Sequence, residues 1–345
     1  MRYILISFTI LLFSSYNLNG QIIDEDVLNA SFELAYDDIE QFSDNFYKPG
    51  LSALVHAMST GWLQTAKVKE EWKFDLSLVT NVTIANSDSR QFLFRESDYN
   101  STSLKSGEPQ ANVSTILGEN QPDISLLLEI ELSENDFRDI ELKFPNGIAS
   151  VVNFMPTAFF QASMGLAKGF EFKVRYMPSL NYEDIDARFL GFGVQNEITK
   201  WANFKEDFPF HISAFVGYTN FNGKYNFTES DRIDDLDGRI SSNANSWLFS
   251  GIVSTKYPKL NFYGSLGYVV GNAETTTSAT GVYVLREESD IPLNFNIEPY
   301  AVQTSISGAR LNVGANLKLG DFTVFSDFSL QEFSTASFGV NYKIN

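Results

Sequence analysis

From Trp72 to the C-terminus the chain repeats one pattern, apolar and polar residues alternating with a period of two. In Phe74-Asp75-Leu76-Ser77-Leu78-Val79-Thr80-Asn81-Val82-Thr83-Ile84 one face is mostly apolar and the other mostly polar. Near the C-terminus Leu311, Val313, Ala315, Leu317 and Leu319 lie opposite Asn312, Gly314, Asn316 and Lys318. Ala336, Phe338, Val340, Tyr342 and Ile344 lie opposite Ser337, Gly339, Asn341 and Lys343. Between these segments Phe170, Phe172, Val174 and Tyr176 oppose Glu171, Lys173 and Arg175. Phe210, Ile212, Ala214, Val216 and Tyr218 oppose His211, Ser213 and Thr219. Successive side chains of a strand point to opposite faces of its sheet, so each segment predicts a strand with one apolar and one polar wall.

A soluble sandwich would turn the apolar wall inward, whereas a transmembrane barrel turns it to lipid. Three features select the barrel. The strand candidates run to about 10 residues or more, the length a tilted membrane strand needs. Tight turns at Lys168-Gly169 and Leu319-Gly320-Asp321 alternate with long polar connections expected over 86–123, 225–245 and 273–279, the pattern of short turns at one end and loops at the other. The last strand carries Phe338 and Tyr342 on its apolar face, although Asn345 replaces the usual terminal Phe. Aromatic residues make up 14% of the chain, enough for the girdles such a barrel needs. The expected fold is therefore all-β: a transmembrane antiparallel β-barrel of about 12 strands, with 10 and 14 the neighbouring even numbers.

Residues 1–20 predict an export signal, with Arg2 as the positive region and an apolar run from Ile4 to Phe13 too short to span a bilayer as a helix. Cleavage after Gly20 would leave Gln21 first. The absence of Cys removes disulfides, thiolate metal sites and a lipoprotein anchor. A net charge of -18 argues against a nucleic-acid partner. The expected location is the cell outer membrane, and the expected partners are its lipid, the barrel-assembly machinery and a small apolar ligand.

Residues 21–66 follow another period. Val27, Phe32, Leu34, Ala35 and Ile39 have helical spacing, a break is expected at Lys48-Pro49-Gly50, and Leu51 to Met58 begins a second apolar stretch. Left in water, this segment would expose apolar side chains worth roughly 1.5–3 kcal/mol each when buried. It is expected to enter the lumen of the barrel, residues 67–345, as a hatch. Trp62 and Thr65 would then pack on the inner wall near the first strand, and Asp37, Asp38 and Glu40 would meet inward Lys173 and Arg175.

At Gly61-Trp62-Leu63-Gln64-Thr65-Ala66-Lys67, preceded by Tyr47-Lys48-Pro49 and followed by Phe74-Asp75-Leu76, the chain resembles a domain-of-unknown-function family of bacterial outer-membrane proteins. The resemblance resumes at Pro156-Thr157-Ala158-Phe159-Phe160-Gln161-Ala162-Ser163-Met164-Gly165-Leu166. It continues through Val174-Arg175-Tyr176-Met177-Pro178 and Gly191-Phe192-Gly193-Val194 to Gly217-Tyr218-Thr219. It implies a barrel and an outer-membrane location, and no activity. The arrangement of a short helical segment before a barrel is also similar to that of the long-chain fatty-acid transporter family.

Charged side chains on a lipid face cost roughly 2–4 kcal/mol at the midplane, so Glu171, Lys173, Arg175, Asn316 and Lys318 are expected to line the lumen, as is His211. Asp231, Asp234, Asp235 and Asp237 precede Gly238, but Ile233 breaks the spacing of a calcium loop and a solvated loop is the better reading. His56 and His211 are the only histidines. His211 with Ser213 lacks a third partner for a triad. Asn81, Asn100 and Asn226 begin glycosylation sequons that carry little weight in this setting. No metal, cofactor or enzymatic activity is expected. The functional expectation is passive uptake of a small apolar molecule, and the alternative is a structural or secretion-associated scaffold with a closed lumen.

Overall fold

The computed structural model describes residues 25–133, 136–147, 154–178, 185–202, 204, 207–227, 233–286 and 290–344. The expected export signal lies outside them, as does Asp231. One helix, α1 (Glu25–Met58), opens the chain. Strand β1 (Phe74–Ile84) follows, then five short strands: β2 (Gln91–Arg95), β3 (Thr102–Leu104), β4 (Gln110–Ser114), β5 (Ser125–Ser133) and β6 (Asp136–Lys143). Nine more complete the chain: β7 (Phe154–Leu166), β8 (Phe170–Met177), β9 (Ile185–Glu197), β10 (Phe210–Phe227), β11 (Ile233–Thr255), β12 (Leu260–Arg286), β13 (Asp290–Leu319), β14 (Phe322–Leu330) and β15 (Thr335–Ile344).

Strand β1 pairs antiparallel with both β7 and β15, and β7 to β15 pair in sequence, so the sheet closes on itself. The barrel has ten strands, not about 12. The estimate failed because the described residues between β1 and β7, 85–133 and 136–147, build a cap and not wall, while β11, β12 and β13 take 23, 27 and 30 residues each. A tilted membrane strand needs only about 9–11, so these three continue far past the barrel as a paired extension. Two expected loops therefore do not exist as such: 273–279 lies wholly inside β12, and most of 225–245 belongs to β10 and β11. Polar residues on both faces hid these strands, because their side chains there meet solvent or cap and no apolar face is required.

Alternation sorts the two walls. Leu317 and Val340 are exposed on the outside, whereas Asn316 and Asn341 are buried on the inside. Outward residues include Phe160, Leu266 and Val313, each more than half exposed. So large an uncovered apolar surface has no stable place in water.

Helix α1 is continuous, and the break expected at Pro49 is absent. Proline removes one helical hydrogen bond and clashes with the preceding turn, at a cost of about 3 kcal/mol in a free helix. Here the surroundings compensate. The Phe46 carbonyl near the disturbed turn accepts from Ile116 N–H at 3.0 Å, and a side chain at Gly50 would collide with Ile116. Both contacts come from the cap, where β2–β4 and β3–β5–β6 form two small sheets. Phe42 stacks on Phe144 at 5.1 Å and meets Phe92 edge-on at 5.5 Å, so the loop-side half of α1 is the core of the cap.

Inside the barrel, glycines are covered by aromatic rings of adjacent strands. Phe325 lies over Gly339, so that an added Cβ would sit 2.2 Å from its ring. Gly339→Val should therefore overpack the wall and lower stability by about 1–3 kcal/mol, measured as a reduced urea midpoint of the detergent-folded protein. An unchanged midpoint would mean that Phe325 is free to turn away.

Candidate functional site

The lumen is filled by the chain's own N-terminal segment. Ser43 Oγ lies 2.8 Å from the Tyr300 hydroxyl, on the long extension of β13. Further along, Val55 meets Gly271, and the Met58 carbonyl meets Arg175 and Thr219. Thr65 and Ala66 then reach Ser254, Val68 reaches Glu197 and Lys69 reaches Glu171. Trp72 N–H finally bonds to Gly165 O, beside the turn between β7 and β8. The wall partners move steadily from the loop end to the turn end, so residues 36–72 cross the interior from one mouth to the other. Eight strands leave room only for side chains; ten leave room for this one segment.

A chain that is neither helix nor sheet must find a partner for each buried peptide group. The wall supplies many of them. Arg175 donates through Nη1 to Met58 O at 3.1 Å and Thr60 O at 3.0 Å. Arg310 donates to Ser59 O at 2.7 Å, and Lys173 to Trp62 O at 3.1 Å. Asn316 donates to Gln64 O at 2.7 Å, Gln195 to Thr65 O at 2.9 Å, and the Ser213 hydroxyl to Ala66 O. In the other direction, Ala66 N–H reaches Ser254 Oγ, and Val68 and Lys69 N–H reach the carboxylates of Glu197 and Glu171, each at 3.0 Å. Cations thus stand at the C-terminus of α1, where unpaired carbonyls concentrate negative charge, and acids stand where amides emerge.

Arg175 is the centre of this arrangement. Fully buried, its guanidinium lies 3.5 Å from the centroid of the Trp62 ring and 4.5 Å from that of Phe159. Such desolvated cation–π contacts are worth about 2 kcal/mol. Trp62 also packs on Phe215, and side chains at Gly193 or Gly217 would invade that space. Lys69 sits near the turn end. Its ammonium pairs with the carboxylates of Glu171 and Asp75 at 3.0 and 3.1 Å.

The residues singled out from the sequence fall in three places. Glu171, Lys173, Arg175, Asn316, Trp62 and Thr65 meet at the contact between plug and wall. His211 lies nearer the turn end, where its Nδ1 is 2.6 Å from Glu197 Oε1, and Lys318 is exposed. Asp37, Asp38 and Glu40 do not approach Lys173 or Arg175, which corrects that expectation. Asp37 and Glu40 are exposed, while Asp38 accepts from Asn100, Ser101 and Thr102 of the cap at 2.7–3.2 Å. Twenty helical residues separate Asp38 from Met58, roughly 30 Å at 1.5 Å per residue, so these acids belong to the loop end. The Phe32 side chain lies outside the described residues, as do those of Asp234 and Asp235, whose backbone lies in β11. Among the described residues no group of three acids or histidines is placed to hold a metal ion.

Sequence reasoning passed over Arg310, Phe215, Gln195 and Glu197. The signal was available for Arg310, which shares the polar phase of Asn312, Gly314 and Asn316. Phe215 stands on the polar phase of β10 and breaks the alternation, the mark of an inward aromatic.

The chain belongs to the family described as "Family of unknown function (DUF6588)", which matches residues 1–344. No curated protein matches it. Among solved structures, the translocator domain of the autotransporter NalP from Neisseria meningitidis is similar at 10% identity and a TM-score of 0.27, covering 93% of this chain and 100% of that one. The Pseudomonas putida toluene transporter TodX is similar at 7% identity and a TM-score of 0.26, over 85% of this chain and 93% of that one. The Escherichia coli outer membrane protease OmpT is similar at 10% identity and a TM-score of 0.27, over 83% and 100%. Similarity this low adds nothing to the strand pairings given above.

Arg175→Met keeps an apolar stem over Trp62 but leaves Thr60 O without its donor and Met58 O with Thr219 alone. It should weaken docking of the plug by about 3 kcal/mol, seen as protease cleavage within residues 59–70 while the barrel keeps its heat-modifiable gel migration. Arg175→Lys should restore only part of the protection, because an ammonium that reaches the carbonyls loses the planar face on the indole and the second bond to Gln161. Equal resistance of all three proteins would refute the assignment.

Proposed function

We propose that this chain is an outer-membrane β-barrel, exported through its N-terminal signal, that serves as a closed scaffold holding the α1-centred cap at the cell surface. The observation that carries this reading is the plug. The carbonyls of Met58, Ser59, Thr60, Trp62, Gln64, Thr65 and Ala66 are all engaged by wall side chains, and a lumen so filled offers no open route. The uncovered apolar outer wall supports the membrane setting. In such barrels the short turns face the periplasm and the longer loops face outward, which puts the cap outside and the start of β1 inside.

Passive uptake of a small apolar molecule is the second reading. An inward row of rings favours it: Phe159 meets Phe189 at 5.2 Å, and Phe189 meets Phe221 at 4.7 Å. This apolar strip would become a path only if the plug withdrew.

The orientation can be read directly, since the chain has no cysteine of its own. Leu34→Cys, near the loop-side end of α1, should react with a membrane-impermeant maleimide on intact cells. Tyr257→Cys, at a turn, should react only after the outer membrane is opened. The reverse pattern would invert the topology, and recovery of the protein in the soluble fraction would sink the membrane reading.

Deleting residues 25–60 separates the two functions. A scaffold with a structural plug should gain single-channel conductance without gaining uptake of apolar compounds over ions. Selective entry of apolar compounds into cells carrying the deletion would favour uptake along the phenylalanine row.

A further inference from the structure

The turn end of the barrel carries a groove of 690 Å³ on its outer side. Its floor is apolar: Leu166 and Phe170 are in the outward phases of β7 and β8, and the outer wall continues from them through Phe172 and Val174. Its rim is basic, with Lys168 on the β7–β8 turn and Lys200 on the β9–β10 connection. The two turns are packed together, because a side chain at Gly169 would meet the Lys200 side chain at 3.1 Å. Asn196 ties the parts together. Its amide donates to Gly169 O at 3.2 Å, and its carbonyl accepts from the indole of Trp201 at 2.9 Å. Trp201 nevertheless remains 64% exposed.

The two lysines are poorly neutralised. No carboxylate pairs with Lys168 among the described residues. Lys200 reaches Glu197 only at 3.9 Å, and that carboxylate already accepts from Val68 N–H, Thr199 and His211. Cationic donors beside an uncovered indole and an apolar floor call for a ligand that is anionic at one end and apolar along its length.

We propose that this groove binds a glycerophospholipid of the periplasmic leaflet. Its phosphate lies between Lys168 and Lys200, its glycerol backbone lies against Trp201, and one acyl chain runs over Phe170 and Leu166 onto the outer wall. Phosphate recruits ammonium donors as point charges, and an indole sits well at the boundary between headgroup and hydrocarbon. Glu71, also on the rim, is placed to meet the ammonium of an ethanolamine headgroup. A free anion would use the two lysines alone and leave the indole and the apolar floor without a role. The proposal rests on the membrane reading given above.

The test uses full-length protein extracted from the outer-membrane fraction in detergent. Failure to find it there fails the membrane reading and leaves the groove unaddressed by that step alone; the same refolded protein then takes the lipid assay. Phosphatidylethanolamine is added and retention is followed by native mass spectrometry, with diacylglycerol of the same chains and inorganic phosphate as competing probes. Retention should fall about tenfold or more in Lys168→Ala/Lys200→Ala, the loss expected for charge-assisted contacts. It should be unchanged in Lys256→Ala/Lys259→Ala, which removes two lysines from another turn. Diacylglycerol should bind far more weakly than the phospholipid, and inorganic phosphate should not displace it. Equal retention of diacylglycerol, equal loss in the control pair, or displacement by phosphate alone would each overturn the proposal.

Discussion

The structure depends on one constraint: a stretch of irregular backbone runs through the middle of a barrel, where water cannot satisfy it. Strands satisfy their peptide groups by pairing and a helix satisfies its own, but residues 59–69 do neither. An unmet buried carbonyl costs about 1–3 kcal/mol, so a row of them would expel the segment. Arg175 resolves the hardest part, at the end of α1. Its Nη1 reaches both Met58 O and Thr60 O, its Nη2 reaches Gln161, and its face rests on Trp62. Lysine could reach the carbonyls but would give up the flat contact with Trp62 and the second bond to Gln161. Arg310 does the same for Ser59 from the opposite side of the barrel, also supported by Ser329.

That solution sets the shape of the wall. Room for one polypeptide fixes the number of strands near ten, and room for Trp62 requires Gly193 and Gly217 beside it. Further toward the loop end, α1 is a full helix and needs no donors from the wall, only apolar cover. The extensions of β11, β12 and β13 and the cap supply that cover through Phe94, Phe144, Tyr300 and Ile306. The helix therefore changes partners along its length, apolar cap at one end and cationic wall at the other, and its two halves have different jobs.

The sequence was legible wherever one face had to be apolar. Leu317, Val340, Asn316 and Asn341 could be sorted into walls by period alone, because lipid-like and polar surroundings impose opposite demands on alternate residues. The inward charges of β8 could be placed by cost: Lys173 and Arg175 have nowhere else to go. The cap was illegible, since strands of three to five residues such as β3 and β2 are too short for a period and pair with distant segments. The continuous helix was hidden by Pro49, whose cost is met by Ile116, 67 positions away in the chain and invisible to local reasoning. The placement of Asp38 failed for a related reason. Opposite charge suggested Arg175 as a partner, but charge attracts without measuring distance, and the length of the helix had already separated the two.

Chain order adds a final constraint on how the plug can act. The plug precedes β1, and β1 closes the barrel by pairing with β15, from Phe74 opposite Ile344 to Thr83 opposite Thr335. A segment bonded on one side to β8 and on the other to β13 cannot be enclosed after that seam is sealed unless α1 passes lengthwise through the finished lumen. Its cap-bound half is too wide for that passage once Phe42 and Phe46 are packed among the rings of the cap. A plug laid down while the sheet is still open would need no such passage, and Arg175, on a strand only two places from β1 in the barrel, would stand ready to hold it. Opening the lumen later would mean drawing residues 59–69 off their wall donors in place, with both ends still tethered by the cap and by β1. The motion available to a doubly tethered segment is a sideways shift against the wall, which exchanges one set of hydrogen bonds for another and leaves the barrel occupied throughout.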